Sequence, residues 1–185
     1  MTTCNLRILG VDPGTATTGW SVIEMKKKEI IPVAHGYIST DKNKSEEERL
    51  EEISGDLQKI IKKYNPKEAA VEKLFFFKNQ KTIIQVAQAR GAILLTLRQK
   101  SVKVSSYTPL QVKQALTGYG RADKNQIQQM TKNMLHLKSL PKPDDVSDAI
   151  AIAICHLNSR IYNNLNSPSG MSRQSGIRLR RNSTG

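Results

Sequence analysis

Apolar positions along the chain follow two rhythms, one of period two and one close to 3.6, and they alternate in a definite order. Leu6, Ile8 and Val11 form a short run that stops at Asp12-Pro13-Gly14, the pattern of a buried strand broken by turn chemistry, with a carboxylate at its end. Residues 19–25 and 30–40 are rich in β-formers and are joined by the charged stretch Lys26-Lys27-Lys28-Glu29, which predicts an antiparallel hairpin. Ser45 and Glu48 then have capping-box spacing, and Leu50, Ile53, Leu57, Ile60, Ile61 and Tyr64 recur at intervals of three and four, predicting an amphipathic helix. After Pro66, the run Ala69-Ala70-Val71 predicts a second buried strand, and it too ends on an acid, Glu72. A helix is expected over 80–100, a strand from Val102 to Thr108, helices over 111–116 and 124–137, and a last helix from about Asp144 that buries Val146, Ala149, Ile150, Ala153 and Ile154. Three antiparallel strands followed by two parallel ones, interleaved with helices, predict an α/β protein: a mixed five-stranded sheet with helices on both faces.

Beyond Asn163 the periodicity stops and Ser, Gly, Asn and Arg dominate, so the expected division is a folded domain over 1–163 and a basic, disordered tail over 164–185. At 185 residues the chain has room for one such domain. Its net charge of +13 points to a polyanionic partner. A membrane is disfavoured because the longest apolar runs, such as Ala149 to Cys155, fall well short of the roughly 20 residues a spanning helix needs. With no signal-like segment at the N-terminus, a cytoplasmic location is expected. Cys4 and Cys155 sit at opposite ends of the chain and suggest neither a disulfide framework nor a zinc cluster.

In so basic a chain the acids carry the information. Six of the sixteen lie in the first helix, at Glu46, Glu47, Glu48, Glu51, Glu52 and Asp56, where negative charge suits a solvated face near a helix N-terminus. Asp12 and Glu72 end apolar strands. Asp145 and Asp148, three residues apart, share a face at the start of the last helix. If the two strands are neighbours and that helix packs over their ends, all four converge, and four carboxylates together require a cation. Mg²⁺ suits such a donor set. Each acid alone has a plainer explanation: Asp12 as a turn residue, and Asp145 with Asp148 as a helix cap. Spacing does not separate Asp145 from Asp144, which is also one turn from Asp148. Glu72 is harder to explain away, because Glu is depleted in strands. A nucleotide phosphate loop at Asp12-Pro13-Gly14 through Thr17-Thr18-Gly19 would need a second, duplicated domain that the chain has no room for.

Ile8-Leu9-Gly10-Val11-Asp12-Pro13-Gly14, Thr18-Gly19-Trp20, Val71-Glu72-Lys73-Leu74-Phe75, Gln88-Ala89-Arg90-Gly91, Gln111-Val112-Lys113-Gln114 and Asp145-Val146-Ser147-Asp148-Ala149 together resemble the RuvC family of bacterial Holliday-junction endonucleases, in order and at family-like spacing from about residue 6 to 157. The resemblance implies a ribonuclease H-like fold and a homodimer that nicks two opposed strands of a four-way DNA junction during recombination and repair, leaving 5′-phosphate and 3′-hydroxyl ends. It implies Asp12, Glu72, Asp145 and Asp148 as metal-binding carboxylates, which resolves the ambiguity over Asp144. It places Lys113 and Lys124 near the scissile phosphate, Phe75 on a junction base, and the helix containing Gln88-Ala89-Arg90-Gly91 at the dimer contact. Trp20 stands where Tyr is commoner. A branch-migration complex of RuvA and RuvB is the further partner implied.

Two metals about 3.5–4 Å apart can activate water and stabilise both the transition state and the leaving oxygen of a phosphodiester. In that scheme Asp12 bridges two Mg²⁺ ions, with Mn²⁺ as a substitute, and Lys113 or Lys124 offsets charge growing on the phosphate. Arg121 and Lys142 are comparable basic candidates, with Arg121 expected on DNA. His156, two turns beyond Asp148, is read as packed rather than catalytic. Two rival classes share parts of this pattern: a monomeric ribonuclease H-like nuclease acting on other structures or on RNA, and a noncatalytic junction-binding module.

Overall fold

In the computed structural model, which describes residues 6–26, 29–74 and 80–166, the hairpin and the strand before it form one antiparallel ribbon. β1 (Leu6–Asp12) pairs with β2 (Thr17–Lys26), and β2 pairs with β3 (Glu29–Ser39) as far as Lys26 opposite Glu29. The chain then crosses through α1 (Glu46–Tyr64) to β4 (Glu68–Glu72), which lies parallel to β1, and through α2 (Gln80–Gln99) to β5 (Lys103–Tyr107), parallel to β4. The sheet order is β3-β2-β1-β4-β5. Three helices follow: α3 (Pro109–Thr117), α4 (Lys124–Met134) and α5 (Asp144–Leu165). This is the expected ribonuclease H-like arrangement.

Period-two alternation sorts the core. Leu9 and Val11 face α1 and α2 together with Ala69 and Val71, whereas Ile8 and Ala70 face α3, α4 and α5. Ser45 forms the expected capping box, its Oγ accepting from the Glu48 N–H and its own N–H donating to Glu48 Oε2, and Asn65 ends α1 in the left-handed region at φ 49°. α4 stops at Met134, three residues before the predicted end, and α5 runs two residues past the predicted boundary at 163. The remaining tail, Cys4 and Phe75 lie outside the described residues. No described helix is long and apolar enough to cross a membrane.

α5 is the central helix, with every residue from Ala149 to Leu157 buried. It approaches the ribbon so closely that a Cβ on Gly10 would lie 2.1 Å from the Ala149 carbonyl oxygen, and one on Gly19 only 2.0 Å from the Asp145 carbonyl oxygen. Ser21 Oγ donates to the Ala149 carbonyl at 3.0 Å and holds the same contact. Near the other end of β4, Glu68 Oε2 accepts from His156 Nε2 at 2.8 Å, Arg160 donates to Glu68 Oε1, and His156 Nδ1 meets the Tyr107 hydroxyl at 2.8 Å. Every polar end in this group is satisfied, so His156 is a packing residue, as expected.

Burial alone would raise the Glu68 carboxyl, but the His156 hydrogen bond and the Arg160 charge outweigh it and hold it below its ordinary value. An acid depressed on folding stabilises the protein above its unfolded pKa and loses that contribution as pH falls through the folded value. Glu68→Gln should therefore melt about 5 °C below wild type at pH 7, for roughly 2 kcal/mol of charged hydrogen bonding. Thermal melts repeated between pH 5 and 3 should show the difference shrinking; a gap that persists unchanged would refute this.

Candidate active site

Parallel pairing of β1 with β4 aligns Val11 with Val71, so the next residues of the two strands, Asp12 and Glu72, emerge side by side at the same end of the sheet. The two carboxyl groups are close enough to act on one another. The Asp12 carboxyl is pushed well above its ordinary value by burial, then by the charges of Glu72 and Asp148, the interaction with Glu72 and the charge of Asp145. Glu72 is raised by burial and by Asp148, against the lowering effect of the Asp12 bond.

The first turns of α5 bring the other two acids. Asp145 lies against β2, where its backbone meets Gly19, the residue paired with Asp12. Asp148, half-buried, has its carboxyl raised by desolvation despite the charge of Lys124. The helix-cap reading of this pair is not what the fold uses: the N-cap is Pro143, with no side-chain cap bond, and both acids lie inside the helix. Asp144 points elsewhere. It is 61% exposed, pairs with Lys124 Nζ at 2.9 Å and accepts from Gln128 Nε2 at 3.3 Å. Its carboxyl is held below the usual range, chiefly by the Lys124 bond.

Beside the acids is a cavity of about 200 Å³ between α3, α4 and α5, with Glu72, Asp148, Lys113 and Lys124 around it and Val112 and Ile127 among its apolar lining. Both predicted lysines therefore reach the site. Lys124 also approaches Asp148 Oδ2 at 3.6 Å, and its ammonium is stabilised first by the Asp144 bond. Arg121 is exposed in the α3–α4 connection. Among the described residues no three His, Cys, Asp or Glu side chains are arranged closely enough to hold an ion as they stand. Asp148 is turned toward Lys124, whose Nζ lies 3.6 Å from its Oδ2. The donor set nonetheless fits a hard divalent cation, because half-buried carboxylates raised by one another's charge gain compensation when a cation joins them.

Three site features were not singled out in the sequence. Gly10 and Gly19 permit the approach of α5, and glycine inside a strand is the available signal for close backbone contact. Arg90, on α2, donates from Nε to the Glu72 carbonyl oxygen at 2.9 Å and from Nη2 to Ser106 Oγ at 2.9 Å. Its spacing from Glu72 carries no local periodicity that would reveal the contact.

Comparison with known proteins agrees with this geometry. The family model described as "Crossover junction endodeoxyribonuclease RuvC" matches residues 8–156. The RuvC of Fusobacterium nucleatum is 52% identical over 154 residues, covering 83% of this chain and 81% of that protein. The RuvC of Halothermothrix orenii is 54% identical over 152 residues, covering 82% and 92%. Among solved structures, Thermus thermophilus RuvC in complex with a Holliday junction substrate superposes with a TM-score of 0.81 at 30% identity, covering 85% of this chain and 96% of that one. The yeast mitochondrial Holliday junction resolvase Ydc2, 12% identical with a TM-score of 0.63, shares the fold. With a sheet that sets paired carboxylates at adjacent strand ends, and relatives about half identical over four-fifths of its length, the chain belongs to the RuvC family of crossover junction endodeoxyribonucleases.

Proposed function

We propose that this protein resolves four-way DNA junctions in the cytoplasm, as a homodimer that makes paired symmetric nicks with 5′-phosphate and 3′-hydroxyl ends, using Mg²⁺ held by Asp12, Glu72, Asp145 and Asp148. The observation that carries the reading is the pair of acids, Asp12 and Glu72, set side by side at adjacent strand ends with Asp148 nearby, in a chain of net charge +13. RuvC nucleases depend on a divalent metal. When bound here, Mg²⁺, or Mn²⁺ in its place, would lower the pKa of the attacking water and neutralise charge on the phosphate, with two ions matching four carboxylates.

The chain's own groups account for the rest. Asp12 and Glu72 sit at rigid strand ends, so their oxygens are positioned before substrate arrives. Lys113 from α3 and Lys124 from α4, both lining the cavity with Glu72 and Asp148, would present ammonium groups to a phosphate lying there. Lys124 would exchange Asp148 for the phosphate as the acids gather around the metal. Exposed basic side chains such as Arg121 would bind flanking phosphates, giving affinity with strong salt dependence. Phe75, in the connection after β4, would stack on an unpaired junction base.

A four-way junction has two strands to cut, and thus needs two sites. The outward face of α2 supports a second copy as occupant: Ile84 and Leu95 are 67% and 59% exposed, and Ala87 and Gly91 lie between them. A Cβ at Gly91 would meet nothing within 4 Å, so a facing helix can approach its backbone closely. The complex of RuvA and RuvB is the partner that would deliver the junction.

The test is incubation of the protein with a mobile four-way junction, a plain duplex and an RNA–DNA hybrid, with and without Mg²⁺. Paired nicks in the junction alone, bearing 5′-phosphates, are expected. Cutting of the hybrid alone would favour a different nuclease, and binding without cutting a noncatalytic module.

A further inference from the structure

We propose that Arg90 is a positioning residue for Glu72, and that through it the geometry of the active site depends on the helix by which two copies would pair. This deepens the functional reading above and rests on it. Arg90 lies in the middle of α2 beside buried Ala89, on the flank of the helix, one turn from Ala87 at the edge of the outward face formed by Ile84, Gly91 and Leu95. Half-buried, it donates from Nε to the Glu72 carbonyl oxygen and from Nη2 to Ser106 Oγ, each at 2.9 Å. Among the described residues it forms no ion pair with a carboxylate. A guanidinium without an acid partner is thus committed to a neutral carbonyl and a hydroxyl at the ends of two catalytic-side strands.

The point of contact gives the arrangement its consequence. Pairing of β4 with β1 ends at Val71, and pairing with β5 ends at Glu72 opposite Tyr107. Glu72 is therefore the last strand residue, where a sheet frays most readily. Its carboxyl meets Asp12, while its carbonyl is held by Arg90 from the α2 side. The bond joins residues 18 positions apart and so ties the end of β4 to the middle of α2. Ser106, opposite Val71 on β5, fixes the other arm of the guanidinium, so Arg90 reads the spacing of β4, β5 and α2 at once. A second copy docking on the outward face of α2 would set the position of this helix, and two hydrogen bonds would carry that position to the backbone of Glu72. Arg90 acts on where the Glu72 carboxylate stands and makes no contact with the reacting atoms.

Full-length Arg90→Gln, Arg90→Lys and Ser106→Ala proteins test this. The first readout is the rise in melting temperature on titration with Mg²⁺; the second is the rate of junction cleavage over the same titration. Arg90→Gln should require about 10- to 100-fold more Mg²⁺ for the same thermal rise, the range for lost supporting hydrogen bonds around a metal site, and its cleavage midpoint should move with it. Ser106→Ala should shift both in the same direction by a smaller factor, and Arg90→Lys, which retains one donor and the charge, should recover part of the loss. Junction binding without metal and dimer mass by light scattering should stay within about two-fold of wild type. An unchanged Mg²⁺ midpoint in Arg90→Gln overturns the proposal, as does a cleavage loss that tracks melting temperature or dimer mass and vanishes in a cooler assay. If Arg90→Gln does not fold, an unchanged midpoint in Ser106→Ala overturns it. A wild-type protein that takes up Mg²⁺ but cuts no junction would defeat the functional reading alone, leaving the thermal comparison to decide on Arg90.

Discussion

Asp12→Asn is expected to reduce junction cleavage in Mg²⁺ by at least about a thousand-fold, equivalent to roughly 4 kcal/mol of transition-state stabilisation, while junction binding stays within about two-fold. The substitution is nearly isosteric, so it removes one ionisable carboxylate from the acid cluster and little else. Phosphate contacts by basic side chains elsewhere supply affinity and do not pass through this group. The same variant should differ from wild type in stability, in the opposite direction. The Asp12 carboxyl is raised on folding by burial and by neighbouring acids. An acid raised in this way opposes folding at every pH above its unfolded value, because the folded state binds the proton more tightly and must release it or repel its neighbours. In the absence of divalent metal, wild type should therefore lose stability as pH rises from about 4 toward 8, and Asp12→Asn should lose less. At pH 8 in chelator the variant should melt higher. Retained cleavage, or a variant less stable than wild type under those conditions, would remove Asp12 from its assigned place.

Gly19→Ala is the second large effect, and it reaches the chemistry without touching a carboxylate. The added Cβ would lie 2.0 Å from the Asp145 carbonyl oxygen, 2.3 Å from its carbon and 3.0 Å from its Cβ. The two nearest are backbone atoms of a helix buried along most of its length, so they cannot rotate away. The first turn of α5 must withdraw from β2 by about an ångström, taking Asp145 and Asp148 away from Asp12, whose strand partner is Gly19 itself. Misplacement of that size in a catalytic constellation costs on the order of 100-fold in rate. Overpacking should lower stability by about 1–3 kcal/mol. A folded Gly19→Ala protein with wild-type cleavage and an unaltered Mg²⁺ requirement would show that α5 is not held where these contacts place it. Gly55→Ala, in α1, is the control, since its Cβ meets nothing within 4 Å.

Much of this was readable from the residues alone, where the governing interactions are local. Ser45 and Glu48 announced a capping box because the bonds concerned join residues three apart, and α1 begins there. Ala69-Ala70-Val71 before Glu72, and Leu6 to Val11 before Asp12, announced strands ending on acids because period-two burial is written in adjacent positions. The last helix starts at Asp144 as expected, yet the cap that spacing allowed for Asp145 and Asp148 is absent, since Pro143 takes the N-cap position. α4 ended early because its last predicted turn, Leu135 to Leu137, includes His136 in the left-handed region at φ 50°, which no apolar count reveals.

The acids' identities, strand ends and helix face are therefore properties of the primary structure, and the resemblance in six ordered segments pointed to Asp145 over Asp144. Their convergence is not a local property. It depends on β1 meeting β4 in one register, with Val11 beside Val71, and on α5 crossing two glycines more than a hundred positions earlier in the chain. The same holds for the mutual influence of the Asp12 and Glu72 carboxyl groups, the approach of Asp148 to Lys124, and the reach of Arg90 to the Glu72 carbonyl. Hydrogen bonds, desolvation and charge repulsion act over a few ångströms of space, whatever the separation along the chain, so only the folded arrangement could bring carboxylates scattered along the chain under one another's influence.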